Sequence, residues 1–457
     1  MLSLKPWQRY ALLLCAGAAL FFLYFFGLAR TGLLGPDEPR YAAIGRAMAD
    51  TGDWITPRLW GQPWFEKPAL LYWMTALGFD AGLGLDLAPR LPVAIASVVF
   101  LIYFFAELRR QFGEVAAGYA TMILATSAGW LAFSHVAVTD LPMSAAFGAS
   151  MLLLVSEQPG RARFLLSGAL LGLAVLAKGL VPLALFLPAL WFLRHRIRGL
   201  ALIFGAAALV AAPWYILVTL RNGTPFLQEF FWKHHFARFV TGALQHEQPF
   251  WFYAPVLIAG FFPWSPLLLL LFRKILYQDR RAAFLAAWFV WGFVFFSVSR
   301  NKLPGYLLPL LPALAALLGI ALAQARQRSA GMIALLASCA ALLSLVPAAE
   351  ELLPQALLAG ISRAPIRLPA EWIAPALVAA TACALLEKTG RRTSAAALVA
   401  VLTTLSVVWL VRQTYPILDR AVSARQTAGS ITCVPAGQRS TRYSLDYYAG
   451  RELPDCN

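Results

Sequence analysis

Apolar runs of about 16 to 25 residues, long enough to cross a bilayer as helices, recur along the chain. Thirteen can be counted, centred near residues 19, 99, 124, 148, 170, 186, 209, 261, 290, 313, 339, 379 and 403. Only Lys178 and Gly179 separate the runs near 170 and 186, so the count holds to within one or two. The first run, Tyr10 to Leu28, exceeds a signal-peptide core and has no convincing small-residue cleavage site after it, so it reads as a retained span. The pattern predicts an all-α polytopic membrane protein.

Composition agrees. Of 457 residues, 60% are hydrophobic and 13% charged, about half the charged share of a soluble domain. That much apolar surface needs lipid as its solvent. The net charge of +16 would suit a nucleic-acid binder, but its distribution argues otherwise. With the N-terminus inside, the short inside loops hold 18 of the 38 basic residues and 5 of the 22 acidic ones. This is the positive-inside signature, and it predicts N-in, C-out. The long segments then all lie outside: 29–90, 220–249, 349–370 and the tail from about 413. Chemistry is expected there. Of the five cysteines, Cys15, Cys339 and Cys383 lie in apolar runs, while Cys433 and Cys456 lie in the tail; no zinc-type spacing is present.

The first outside segment opens with "GPDEPRYAAIGRAMADTG". Asp37 suits an N-cap and Glu38 complements the dipole of the following helix. Tyr41, Ile44 and Met48 form one apolar stripe, which predicts an amphipathic helix on the outer membrane interface. A site reading of the acids stands beside the capping one.

Further along, Glu66 and Lys67 sit among aromatic residues before "ALLYWMTALGF". Lys67 either snorkels or meets a phosphate at headgroup depth. Asp140, in the short second outside loop, is either an N-cap before Pro142 or a functional acid at the membrane boundary. The fourth outside loop, 220–249, carries His235, Arg238 and His246 among many aromatic rings. A divalent metal shared with Glu66 is conceivable, but the spacing matches no metal motif; engagement of an anionic lipid or sugar suits these groups better. "SRNKLPGYLLPLLPAL" brings Lys302 and Tyr306 to the same face.

Taken in order, "GPDEPRYA", "GDWITPRLWGQPWFEKPALLYW", "VTDLP", "HHFARF…HEQPFWFY" and "KLPGYLLPLLPAL" closely resemble the bacterial lipid A aminoarabinose transferase (ArnT) family. This is a group of protein O-mannosyltransferase-like membrane glycosyltransferases with the GT-C fold. The resemblance covers roughly residues 1–320, and "RYSLDYYAGRELP" is similar to the end of that family's small periplasmic domain. It implies thirteen spans and a transmembrane catalytic domain over 1–412. It also implies amphipathic helices in the first periplasmic loop and a small periplasmic α/β tail over 413–457. The implied placement is the bacterial inner membrane, N-terminus cytoplasmic and C-terminus periplasmic.

The implied donor is a polyprenyl (undecaprenyl) phosphate sugar, with 4-amino-4-deoxy-L-arabinose as first choice, and the acceptor is lipid A or another envelope molecule. Asp37 and Asp140 then fall on catalytic positions and Lys67 on the donor phosphate, with Arg40 in the same site. Lys302 and Tyr306 are possible helpers at the phosphate. Glu38, Tyr41, Glu66, His235, Arg238 and His246 are candidates for the substrate or acceptor side. No cofactor is required, although a divalent metal would be compatible. The region after the eleventh span is shorter than in the family, and a Cys433–Cys456 disulfide would staple a tail too small to core itself. Competing readings are a protein O-mannosyltransferase-like enzyme acting on Ser/Thr, a polyprenol-lipid transporter, and a non-catalytic scaffold.

Overall fold

The computed structural model describes residues 6–230, 232, 247–359, 370–434 and 439–456. Helices occupy every stretch where an apolar run was read. The first described helix is α1 (Pro6–Tyr24). A polar segment follows, holding α2 (Asp37–Thr51), a two-stranded hairpin of Arg58–Leu59 and Gln62–Pro63, and α3 (Leu70–Asp80). The bundle then runs through α4 (Gly84–Phe112), α5 (Glu114–Ala125), α6 (Ala128–Ser134), α7 (Asp140–Leu153) and α8 (Arg161–Lys178). It continues with α9 (Val181–Leu185), α10 (Leu187–Leu193), α11 (Ile197–Asn222), α12 (Thr224–Leu227), α13 (Tyr253–Gly260) and α14 (Arg280–Val298). It closes with α15 (Leu311–Gln324), α16 (Ala330–Leu342), α17 (Ala349–Ala359), α18 (Ile373–Lys388) and α19 (Arg392–Ala421).

Among the described residues, seven helices are long and apolar enough to cross a membrane, or up to nine if two bent pairs each form one span. One bent pair is α5 with α6, broken by 60°. The chain is therefore a mostly helical, multi-pass membrane protein. Among these seven, the span Pro304–Gln324, which ends in α15, is the most buried, at 89% of its apolar window, whereas Ala370–Lys388, which holds α18, is buried over only 11%.

α2 departs from expectation. Its stripe of Tyr41, Ile44 and Met48 is buried at 2%, 0% and 1% exposure, and the helix packs on α3. The stripe faces protein, not lipid: the apolar segment after Lys67 folds back as α3 and covers it.

The tail comprises α20 (Arg439–Ala449), a bridge between Val434 and Asp455, and a small cluster of Ala424, Ala428, Val434, Leu445 and Leu453. Cys433 and Cys456 are bonded to each other. The expected domain boundary at 412 falls inside α19, whose backbone continues unbroken to Ala421. The last membrane helix thus runs straight into the tail.

Candidate active site

Asp37 does not cap α2. Pro36 holds the cap position and no side chain closes the helix start. Asp37 is the first helical residue, and its half-exposed side chain faces Arg40 one turn on: Arg40 Nη2 donates to Asp37 Oδ1 at 2.6 Å. The same nitrogen lies 3.0 Å from Glu66 Oε2, and Lys67 Nζ lies 3.4 Å from Glu66 Oε1. The loop between α2 and α3 has thus folded back to lay a row of alternating charges, Asp37, Arg40, Glu66 and Lys67. Two carboxylates and two cations balance, which lets all four sit together although three of them are largely buried.

Arg40 is the buried member of the row, at 1% exposure, whereas the Asp37 side chain is 46% exposed. The guanidinium carbon lies 5.2 Å from the Tyr41 ring centre, 5.3 Å from Trp64 and 5.3 Å from Tyr443. Burial works against its charge, but Tyr41, Glu66 and Asp37 outweigh that and raise its pKa above the ordinary value. Burial also pushes the Tyr41 and Tyr72 phenols up, with nearby carboxylates adding to the effect.

The adjacent acid behaves differently. Successive side chains on a helix diverge by about 100°, so Glu38 points inward while Asp37 points out. Glu38 is 1% exposed and forms a fork with Arg90 of α4: Arg90 Nε to Oε1 at 2.7 Å and Nη2 to Oε2 at 2.7 Å. Its oxygens also accept from the backbone N–H of Leu34 and Ala137. Arg90 further donates to the carbonyls of Leu28, Thr31 and Gly32. The expectation that Glu38 meets a substrate is corrected: its lone pairs are taken up in a buried brace. Tyr41 likewise lies beneath Arg40, buried against Tyr72, and is a wall of the site with no open face.

Asp140 is also not a cap. Thr139 holds that position, and Asp140 is the first residue of α7. Lys178 Nζ, from the end of α8, donates to Asp140 Oδ1 at 2.5 Å. The ammonium also sits 4.9 Å from the Tyr306 ring centre. A Cβ at Gly305 would come within 2.6 Å of Asp140 Oδ1, so the "PG" of the motif leaves room for this carboxylate. Lys178 escaped the sequence reading, where it served only to divide two apolar runs. The available signal was a lysine isolated in hydrophobic sequence at the outside turn. Replacing Lys178 with methionine, which fills similar volume, leaves Asp140 without its cation; if the pair serves the chemistry of the site, turnover is expected to fall roughly tenfold to a hundredfold. Unchanged turnover would place the pair outside the reaction.

Tyr306 therefore joins Asp140 and Lys178, not Lys67. Lys302 donates to the carbonyls of Gln248 and Ser299, and burial lowers its pKa. It lines a cavity of about 660 Å³ together with Glu247, Gln248, Trp251 and Arg300. His135 is structural, held between the Leu23 carbonyl and Tyr415. His235, Arg238 and His246 lie outside the described residues. Among the described residues, no three His, Cys, Asp or Glu side chains come together to hold a metal.

Comparison with known proteins bears on this arrangement. Residues 66–216 match the family described as dolichyl-phosphate-mannose-protein mannosyltransferase. The chain is 36% identical over 335 residues to the undecaprenyl phosphate-alpha-4-amino-4-deoxy-L-arabinose arabinosyl transferase of Pseudomonas aeruginosa strain UCBPP-PA14, covering 69% of this chain and 60% of that one. It is 36% identical over 323 residues to the transferase of the same name from Aeromonas salmonicida, covering 65% of this chain and 58% of that one. The chain thus spans about 60% of the length of these curated relatives. The crystal structure of ArnT from Cupriavidus metallidurans bound to undecaprenyl phosphate superposes with a TM-score of 0.77 at 27% identity, covering 97% of this chain and 85% of that one. The arabinosyltransferase EmbB of Mycobacterium smegmatis matches in fold alone, with a TM-score of 0.51 at 15% identity, over 99% of this chain and 44% of that one.

Proposed function

We infer that this chain, a homologue of the ArnT-like undecaprenyl phosphate-aminoarabinose transferases with their GT-C fold, is itself a glycosyltransferase. It moves a sugar, first choice 4-amino-4-deoxy-L-arabinose, from undecaprenyl phosphate to lipid A or another envelope acceptor. The observation that carries this reading is the charge row Asp37–Arg40–Glu66–Lys67, set at the edge of a multi-pass bundle beside the loop-borne aromatic residues. Transfer from a lipid-linked sugar phosphate needs a cation for the phosphate and, for a hydroxyl acceptor, a base, and the row offers both within one turn of helix and one loop.

In the reaction, an acceptor oxygen attacks the anomeric carbon on the side opposite the phosphate. The bond from that carbon to the phosphate oxygen breaks, and its electron pair leaves with undecaprenyl phosphate. Lys67 neutralises the departing anion, so no proton need be delivered to it. Where the acceptor is a hydroxyl, Asp37 takes its proton. Where it is a lipid A phosphate, the oxygen is already ionised, and Asp37 orients it and stabilises the positive charge that develops on the sugar. Asp140, paired with Lys178, is assigned to the same reaction. Arg40 keeps Asp37 and Glu66 in place.

The same reading assigns thirteen spans, an inner-membrane location with the N-terminus cytoplasmic, and a periplasmic C-terminus. It keeps residues 1–412 as the catalytic membrane domain in broad outline, with the tail beginning after α19. A protein O-mannosyltransferase-like activity on Ser/Thr is the second reading, favoured by the family match over residues 66–216.

The test is transfer in vesicles. Purified protein is supplied with labelled undecaprenyl phosphate-aminoarabinose and, in parallel, lipid A or Ser/Thr-rich protein. Label in lipid A is the expected result. Label in protein favours the second reading. Movement of intact labelled donor across the bilayer without transfer would instead identify a carrier.

A further inference from the structure

We propose that Tyr443, on α20 of the tail, is a positioning residue of the transfer site: its ring holds Arg40 in the orientation from which Arg40 fixes Asp37. Its role in transfer rests on the reading of Asp37 given above; its packing does not.

Three observations converge. First, Arg40 Nη2 alone carries the contacts to Asp37 and Glu66. Arg40 Nε and Nη1 are buried without a hydrogen-bond partner among the described residues. What surrounds the guanidinium instead is rings, and cation–π attraction at a desolvated site is worth enough to fix a rotamer. Tyr41 and Trp64 come from the α2–α3 segment itself, but Tyr443 arrives from the far end of the chain.

Second, the tail is tied closely to the segment that leads into α2. Gly32 N–H donates to Asp419 Oδ1 at 2.7 Å, and Leu33 N–H donates to Tyr448 Oη at 2.7 Å. Tyr448 in turn donates to Asp86 Oδ1 at 2.5 Å, Tyr447 donates to the Leu85 carbonyl, and Arg425 bridges Asp86 and Asp419. A Cβ on Gly32 would meet Ser423 Oγ at 2.0 Å and Tyr448 Oη at 2.8 Å. Any Cβ here would have to displace the Ser423 and Tyr448 hydroxyls. Third, the tail that presents Tyr443 has a five-residue apolar cluster and the Cys433–Cys456 bond as its internal supports. Tied in this way, the tail is anchored as a buttress beside the segment that leads into α2.

The experiment compares Tyr443→Phe, which keeps the ring, with Tyr443→Leu, which removes it. Two readouts are taken: kcat and donor KM in the vesicle assay, and modification of Arg40 by phenylglyoxal, quantified on the Arg40 peptide by mass spectrometry. Tyr443→Phe is expected to match the wild-type chain in both. Tyr443→Leu is expected to lower kcat roughly tenfold, leave donor KM within about twofold because Lys67 is untouched, and open Arg40 to the reagent. The proposal is overturned if Tyr443→Leu keeps wild-type kcat, if donor KM rises in step with the loss, or if Tyr443→Phe is as damaged as Tyr443→Leu. Should the wild-type chain transfer nothing, the functional reading fails by itself. Phenylglyoxal reactivity then decides alone: an Arg40 still shielded in Tyr443→Leu sinks the positioning role.

Discussion

Asp37→Asn is expected to lower the rate of transfer to a hydroxyl acceptor by about 10²- to 10⁴-fold, the usual contribution of a positioned general base. Asparagine keeps the shape of the side chain and a hydrogen-bond acceptor for Arg40, so the helix start survives. It cannot take a proton, and it leaves the Arg40–Glu66–Lys67 row with one surplus positive charge. Donor affinity should change little or improve, because the surplus cation faces an anionic phosphate. The check is kcat and donor KM with labelled donor in vesicles. A loss confined to KM would reassign Asp37 to substrate binding. A variant within tenfold of the wild-type rate would remove it from the chemistry.

The second large effect concerns Arg90 and stability. Arg90 and Glu38 are each 1% exposed, and Arg90 also satisfies three carbonyls at the approach to α2. Arg90→Met removes the charge partner of the buried Glu38 carboxylate and leaves the Leu28 and Thr31 carbonyls without the donor that Arg90 supplies. Breaking a buried pair in this way costs about 3–5 kcal/mol. The expected outcome is a clear fall in the unfolding midpoint of the detergent-solubilised protein, with low recovery from membranes. The double variant Glu38→Leu, Arg90→Met removes both charges and should be less unstable than Arg90→Met alone. If the single and double variants unfold together at the wild-type midpoint, the brace contributes nothing. Transfer by whatever folded protein remains should also fall, since the brace sets the start of the helix that carries Asp37.

These two neighbours explain how far the sequence could be read. The adjacency of Asp37 and Glu38 was visible, as was the charge of Glu66 and Lys67, because local spacing survives in the string of letters. Helices fell where apolar runs lay, because hydropathy reports the transfer of side chains out of water. Hydropathy does not report what they are transferred into. The stripe of Tyr41, Ile44 and Met48 was assigned to lipid and is buried against α3, since a protein interior and a bilayer reward the same residues.

Partners distant in sequence were hidden for a different reason. Arg90 lies 52 positions from Glu38 and Lys178 lies 38 from Asp140; no periodicity links them. Each looked like a boundary charge, and only the packing of α4 on the α2 segment, or of α8 on α7, turns it into a counter-ion. Tyr443 lay further still from Arg40. The Cys433–Cys456 pairing was accessible because only two cysteines sit in the tail. The continuation of α19 past 412 was not, because Arg412 and Gln413 read as the end of an apolar run while the helix continues through them.

The most direct measurement is an electron cryomicroscopy structure of the chain in nanodiscs with undecaprenyl phosphate. The phosphate is expected within hydrogen-bonding reach of Lys67 Nζ, beside Asp37, with the prenyl chain running along the bundle. A phosphate seated instead in the cavity lined by Arg300 and Lys302, with Lys67 still engaged only by protein, would contradict this placement.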